Sequence, residues 1–304
     1  MAENCSPLTS QQDAKGEFFR LVAEQGHYAG RTFPTNTRQG YYTFTADGRL
    51  LTALNSRDPR AIEGMLRKAL ERWRQLGGTG AAVEVQDYAP ARPDRYPADG
   101  LVLRLAARDL PREEDTRPDD WRKRAWNLDY AWFTKDEARH LVPLETAIGA
   151  TCEWPAAVVR RMALFHLRDF VRGEPSAWPE EALRDGTIIS EVVGTGEDEV
   201  RLRLSGGVRL EYAMRWRRPN DGSEHESECG YDASLLGEAV WDRARERFTS
   251  FEMVATGPRR GTNQYNNRGD DLGPAPMGIA LTLAGTDPKD RTPPHQAGHR
   301  GYWG

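Results

Sequence analysis

From Val208 to Trp216 the chain reads VRLEYAMRW, and Val208, Leu210, Tyr212, Met214 and Trp216 take every second place. Side chains alternate between the two faces of a strand, so this spacing predicts a sheet with one buried and one wet face. Beyond Thr187 the same period recurs in IISEVV, VRLRL, FTSFEMVATG and MGIALTLAG, with turn-rich pieces such as Ser205-Gly206-Gly207 between them. Five or more such strands predict an antiparallel sandwich or barrel over about 187–285. The closing stretch TDPKDRTPPHQAGHRGYWG has no periodicity and reads as a tail.

Residues 111–186 read as a helical connecting region rich in tryptophan (Trp121, Trp126, Trp132, Trp154, Trp178). Thr134 with Glu137 three places on forms a capping box before EARHLV. Pro155 opens a second helix, running to about Val171 and closed by Gly173. Ala81–Ala89 and Gly100–Ala107 are further strand candidates, joined by a surface loop rich in proline and charge.

At the front, Glu17–Glu24 reads as a short amphipathic helix ended by Gly26. Phe33-Pro34-Thr35 precedes two strand-like runs, Tyr41–Thr45 and Arg49–Leu54, with Ala46-Asp47-Gly48 as a hairpin signal between them. Asp58 then caps a helix with Pro59 in its first position. Ile62, Met65, Leu66, Ala69, Leu70, Trp73 and Leu76 repeat at helical spacing before Gly77-Gly78. Over about residues 15–76 this order resembles the C-terminal half of a thioredoxin fold, where a cis-proline beside a threonine heads a strand next to the redox site. Pro34 matches that proline. The family's CxxC has no counterpart: only 33 residues precede Pro34, and the one thiol among them is Cys5. Two readings follow: the fold is retained and the redox chemistry lost, or Cys5 acts as a lone nucleophile, with Pro34 and Thr35 shaping the substrate groove. The expected fold class is therefore α+β: a thioredoxin-like domain over 1–110, a helical region over 111–186, and an antiparallel β domain with its tail over 187–304.

The net charge of −4 supplies no basic field for nucleic acid, and no polybasic block points to a membrane. Only five of the 42 basic residues are lysines, which reads as the codon bias of a GC-rich bacterial genome. Three cysteines without CxxC, no signal-like N-terminus and no apolar run of membrane length predict a soluble, cytoplasmic protein, with export the alternative if the chain is trimmed.

His166 lies on one helical face with Val159, Met162 and Phe170, and Asp169 follows three residues later as a group able to orient it. That pairing reads as a core histidine or as an acid–base site. Glu137 and His140, an i, i+3 pair, could join His166 as metal ligands, with a solvated helix face as the alternative. Cys152 stands just ahead of a helix start, where a thiolate is favoured, or is an inert buried thiol. Cys229 receives no role. The loop 257–278 is rich in glycine and asparagine, and either its Arg259, Arg260, Asn263, Gln264 and Tyr265 contact a polar ligand or it is an ordinary connection. Arg268-Gly269-Asp270 resembles an adhesion tripeptide but is too short to carry meaning. His295 and His299 read as solvated.

P-loop, dinucleotide, nucleophile-elbow, zincin and EF-hand motifs are absent from the sequence. Three functions remain: a thiol-dependent redox protein fused to a β-sheet ligand-binding domain, a metal-dependent enzyme using His140 and His166, or a non-catalytic binding module. The expected partner is a small molecule or thiol substrate. No cofactor is specified, and a homo-oligomer is left open.

Overall fold

The computed structural model describes residues 14–26, 40–56, 58–78, 96–115, 117, 119–217, 222–285, 290, 293–296 and 301–303. They fall in two compact units, Met1–Arg95 and Tyr96–Gly304. The strand expected over 81–89 lies outside the described residues, as do Cys5, Pro34, Thr35 and His299.

In the first unit, α1 (Ala14–Glu24) precedes a hairpin of β1 (Tyr41–Phe44) and β2 (Leu50–Leu54), followed by α2 (Pro59–Gln75). Asp58 accepts a hydrogen bond from the Arg60 N–H, and Pro59 begins the helix. One face of α2 buries Met65 and Ala69, while Leu66, Leu70 and Trp73 stay exposed.

The second unit is one antiparallel sheet of eight strands, ordered β4-β3-β10-β9-β8-β7-β6-β5. The strands are β3 (Leu101–Asp109), β4 (Trp126–Phe133), β5 (Thr151–Glu153), β6 (Leu183–Thr195), β7 (Glu199–Arg217), β8 (Glu224–Asp242), β9 (Arg247–Arg260) and β10 (Ala275–Leu283). One face is lined by alternate residues such as Leu103, Leu105, Leu204, Leu235, Met253 and Ile279, all buried. Two short helices are α3 (Lys135–Arg139) and α4 (Ala156–Arg161). The second of these runs into a π-helical turn, Met162–His166, and adds Val158, Met162 and Leu164 to the same core.

This corrects the expected fold class. The described chain is mostly β, 43% strand against 20% helix, and a thioredoxin-like unit is not shown. Among the described residues of the first unit, the hairpin forms a two-stranded sheet flanked by two helices. The region expected to be helical supplies β4 and β5 to the large sheet, because its aromatic and β-branched residues pack on a pleated surface. Among the described residues of the second unit, a single open sheet with edge strands β4 and β5 stands in place of a sandwich or barrel.

Ser205-Gly206-Gly207 is no turn. It lies inside β7, which runs unbroken for 19 residues. A Cβ on Gly206 would stand 2.1 Å from the Thr187 carbonyl oxygen, so the glycine serves close approach of β6 rather than chain reversal. Gly206→Ala is accordingly expected to cost about 1–3 kcal/mol in urea unfolding, through displaced backbone on β6. A cost near zero would show that the strands separate freely there.

The expected tail is also corrected. Tyr302 is fully buried, and its neighbour Trp303 is partly buried against the same core.

Candidate functional site

β3 alternates Leu101, Leu103, Leu105, Ala107 and Asp109 onto the buried face, so the last of these is a carboxylate at a core position. Its charge is met by the loop between β9 and β10. Arg268, fully buried, donates through Nη1 (2.8 Å) and Nη2 (2.8 Å) to the two Asp109 oxygens. The same guanidinium donates through Nε (2.7 Å) and Nη2 (2.8 Å) to Asp169. Asp271 accepts a fork from Arg112 (2.9 and 2.8 Å), a bond from Arg172 (3.1 Å) and one from Arg259. Arg117 adds a further bond to Asp109 at 2.9 Å. Burial works to raise the Asp109 and Asp271 pKa values, but the surrounding arginines outweigh it and hold both below the usual carboxylate range. Burial likewise opposes the charge on Arg268, and Asp169 and Asp109 more than compensate, raising its pKa.

Above this ionic layer a recess opens between β7, β8, the loop and the segment after the π turn. Met214 and Trp178 form an apolar wall; Arg260, Asn263 and Asn266 stand around it, with Cys229 and Asp169 also lining it. The enclosed part has room for about one water molecule. With its open mouth the recess spans about 300 Å³. The loop backbone is fixed from within. Asn263 Oδ1 accepts from the Tyr265 and Asn266 N–H groups, and Asn266 Oδ1 accepts from the Asn263 N–H at 2.9 Å. Gly173 lets the loop approach, since a Cβ there would meet the Tyr265 carbonyl oxygen at 1.9 Å.

Neither a family model, nor a curated protein, nor a solved structure matches the chain significantly.

The predicted residues fare differently. Asn263 lines the recess, whereas Tyr265 is exposed outside it and Gln264 is partly buried without lining it. Arg259 is fully buried and committed to Asp271, which corrects its expected role as a ligand contact. Arg268 of the Arg268-Gly269-Asp270 triplet is buried in the ionic layer, so it presents no adhesion loop. His166 and Asp169 do not pair. The chain leaves the helix at Leu167 (φ −88°, ψ 63°), which breaks the i, i+3 relation, and Asp169 turns to Arg268. His166 instead places Nε2 3.0 Å from the Tyr302 hydroxyl. Burial, then the Arg168 and Arg161 charges, holds its pKa well below the usual histidine value.

The expected triad of His140, Glu137 and His166 is not assembled. Glu137 caps its own helix and accepts a bond from Arg161 at 2.7 Å, while His140 is exposed with Nδ1 2.7 Å from the Asp136 carbonyl oxygen. Among the described residues, no group of three or more His, Cys, Asp or Glu side chains is placed to hold a metal ion. Cys152 is half-buried on β5, and burial raises its pKa, contrary to an activated thiolate. Burial also pushes the Cys229 thiol up to about 11.

The ionic layer went unread in the sequence apart from Arg259 and Asp169. One signal for it was present, because Asp109 continues the buried period of Leu101 to Ala107. Met214 and Cys229 carried no chemical signal: an apolar residue and a lone thiol gain meaning only from the loop across from them.

Proposed function

We propose that the second unit is a binding module, and that the recess beneath the loop of residues 261–271 receives a small polar group at the tip of a ligand. The observation that supports this reading is the convergence of an apolar wall, Met214 and Trp178, with Arg260, Asn263 and Asn266 around one opening. Recognition sites combine apolar lining with a few fixed polar groups. Beneath the opening, the arginine–aspartate layer holds the loop rigid, which lowers the entropy cost of binding. The size of the enclosed part favours an amide, carboxylate or hydroxyl over a whole cofactor ring. Burial raises the pKa of Cys152 and Cys229, so neither described thiol is activated, and thiol chemistry would rest on Cys5, outside the described residues.

The test is a titration of the full chain with acetate, acetamide and N-acetylated amino-acid amides, followed by amide chemical shifts. Shifts centred on residues 214, 229 and 263–266, abolished by Met214→Trp and untouched by Cys5→Ser, support the reading. Shifts elsewhere, or binding that survives Met214→Trp, overturn it. Loss of binding in Cys5→Ser would favour the redox alternative.

A further inference from the structure

The face of the large sheet turned away from its core carries an apolar belt. Directly paired residues share a face, and the register places Ser205, Leu236, Val254, Ala280, Ala106 and Leu128 in one row across six strands. Three of them are large and open: Leu236 is 61% exposed, Val254 45% and Leu128 43%. The next row on one side is small from β7 to β10 (Gly207, Ser234, Thr256, Gly278) and ends in Arg108 and Trp126, the latter 63% exposed. The row on the other side carries Glu238 and Glu252 directly opposite each other on β8 and β9, and Arg104 on β3. Like charges directly opposite repel. Among the described residues none of these three has a salt-bridge partner, whereas Arg203 beside them is taken by Glu191.

We infer that this face associates with the same face of a second copy, around a two-fold axis parallel to the strands and passing between β9 and β10. That operation sets β8 against the partner's β3, β9 against β10, and β7 against β4. In the apolar row and the small row, large side chains then meet small ones. Trp126 faces Gly207, Leu128 faces Ser205, Leu236 faces Ala106, and Val254 faces Ala280. The charged row matches as well, because Glu238 meets Arg104, which relieves the repulsion between Glu238 and Glu252. A two-fold interface must be self-complementary in this way, and aligned packing of two sheets at about 10 Å is its ordinary geometry. Six strands about 4.8 Å apart and three rows about 6.8 Å apart cover about 29 by 20 Å; leaving out the β4 end of the charged row, where Tyr130 is already buried beside Asp290, and the position facing it, the pair buries about 1,000 Å², the threshold for a specific interface.

Sedimentation equilibrium of the full chain from about 1 to 200 µM spans the range expected for an interface of this size. A monomer–dimer equilibrium is expected within that range, weakened at least about 30-fold by Leu236→Asp. Glu238→Arg sets arginine against Arg104 and is expected to weaken the dimer too, and the double variant Glu238→Arg/Arg104→Glu restores it. All these positions are exposed, and circular dichroism verifies that each variant keeps its fold. A monomer at every concentration overturns the inference. So does a dimer indifferent to Leu236→Asp, or a charge swap that fails to restore what the single variant lost.

Discussion

Arg268→Met is expected to destabilise the second unit by about 3–5 kcal/mol in denaturant unfolding at neutral pH. The substitution keeps most of the side-chain volume, so the loss is electrostatic. Asp109 and Asp169 stay in the interior while the fork that joined them disappears. Asp109 keeps Arg117 at 2.9 Å, but Asp169 loses both of its arginine bonds, and a buried carboxylate left without its partner costs far more than the intact pair contributes. Arg268→Lys restores one charge but not a planar fork serving two carboxylates, and a loss of about 2 kcal/mol is expected. The acid side carries a second signature. Asp109 and Asp271 have folded pKa values below the ordinary carboxylate value. Their stabilisation is therefore present above about pH 4 and is lost as pH falls toward the folded values. Without Arg268 the Asp109 pKa is less depressed. The plateau of stability should drop, and the fall below about pH 4 should become shallower. A loss under about 1 kcal/mol with an unchanged acid limb would mean that the layer contributes little to holding the loop.

Tyr302→Ala should cost about 3–5 kcal/mol, as large as a core truncation. The residue is fully buried, sits edge-on to Phe165 at 5.3 Å, and has the Arg161 guanidinium 5.4 Å from its ring. Its hydroxyl accepts from the Trp132 N–H at 3.2 Å and lies 3.0 Å from His166 Nε2. Tyr302→Phe keeps the ring and removes only these bonds, so about 1–3 kcal/mol is expected. His166 adds a pH dependence of definite sign. In the unfolded chain it gains a proton below about pH 6.5, and in the folded protein burial keeps it neutral. The unfolded state therefore binds more protons, and stability falls as pH drops from about 6.5 toward the folded pKa, by up to about 1.4 kcal/mol per pH unit. Urea melts of the parent and of His166→Phe between about pH 5 and 7 should show this slope in the first and its disappearance in the second. Equal slopes would place the titration on another group.

Much of the local structure was legible. The α2 helix, with Asp58 as cap and Pro59 in its first turn, follows from short-range rules. The β1–β2 hairpin and the Thr134–Glu137 capping box do too. Each is decided by atoms within a few residues of each other. The errors began where spacing in sequence had to stand for distance in space. Periodicity carries the helix from Pro155 through to Val171, whereas it ends at Leu167 and turns Asp169 away from His166. Paired glycines inside β7 carry a turn signal, because nothing local reveals a neighbouring backbone so close that a Cβ on Gly206 would stand 2.1 Å from its carbonyl oxygen.

The sequence by itself determined the period-two strands, the caps and the acidic net charge, since these depend on side-chain alternation and on residue type. Only the tertiary structure decided which arginine meets which aspartate. Asp109 and Arg268 lie 159 residues apart, and their pairing comes from β3 and β10 being neighbours in one sheet. The same holds for the fate of Tyr302. A polar, unpatterned terminus carries no periodic signal, and whether it is solvated or buried depends on a socket built by β4 and the π turn. Charge and hydrophobicity are properties of residues, whereas desolvation and partnership are properties of places, and the places exist only once the sheet has closed over its core.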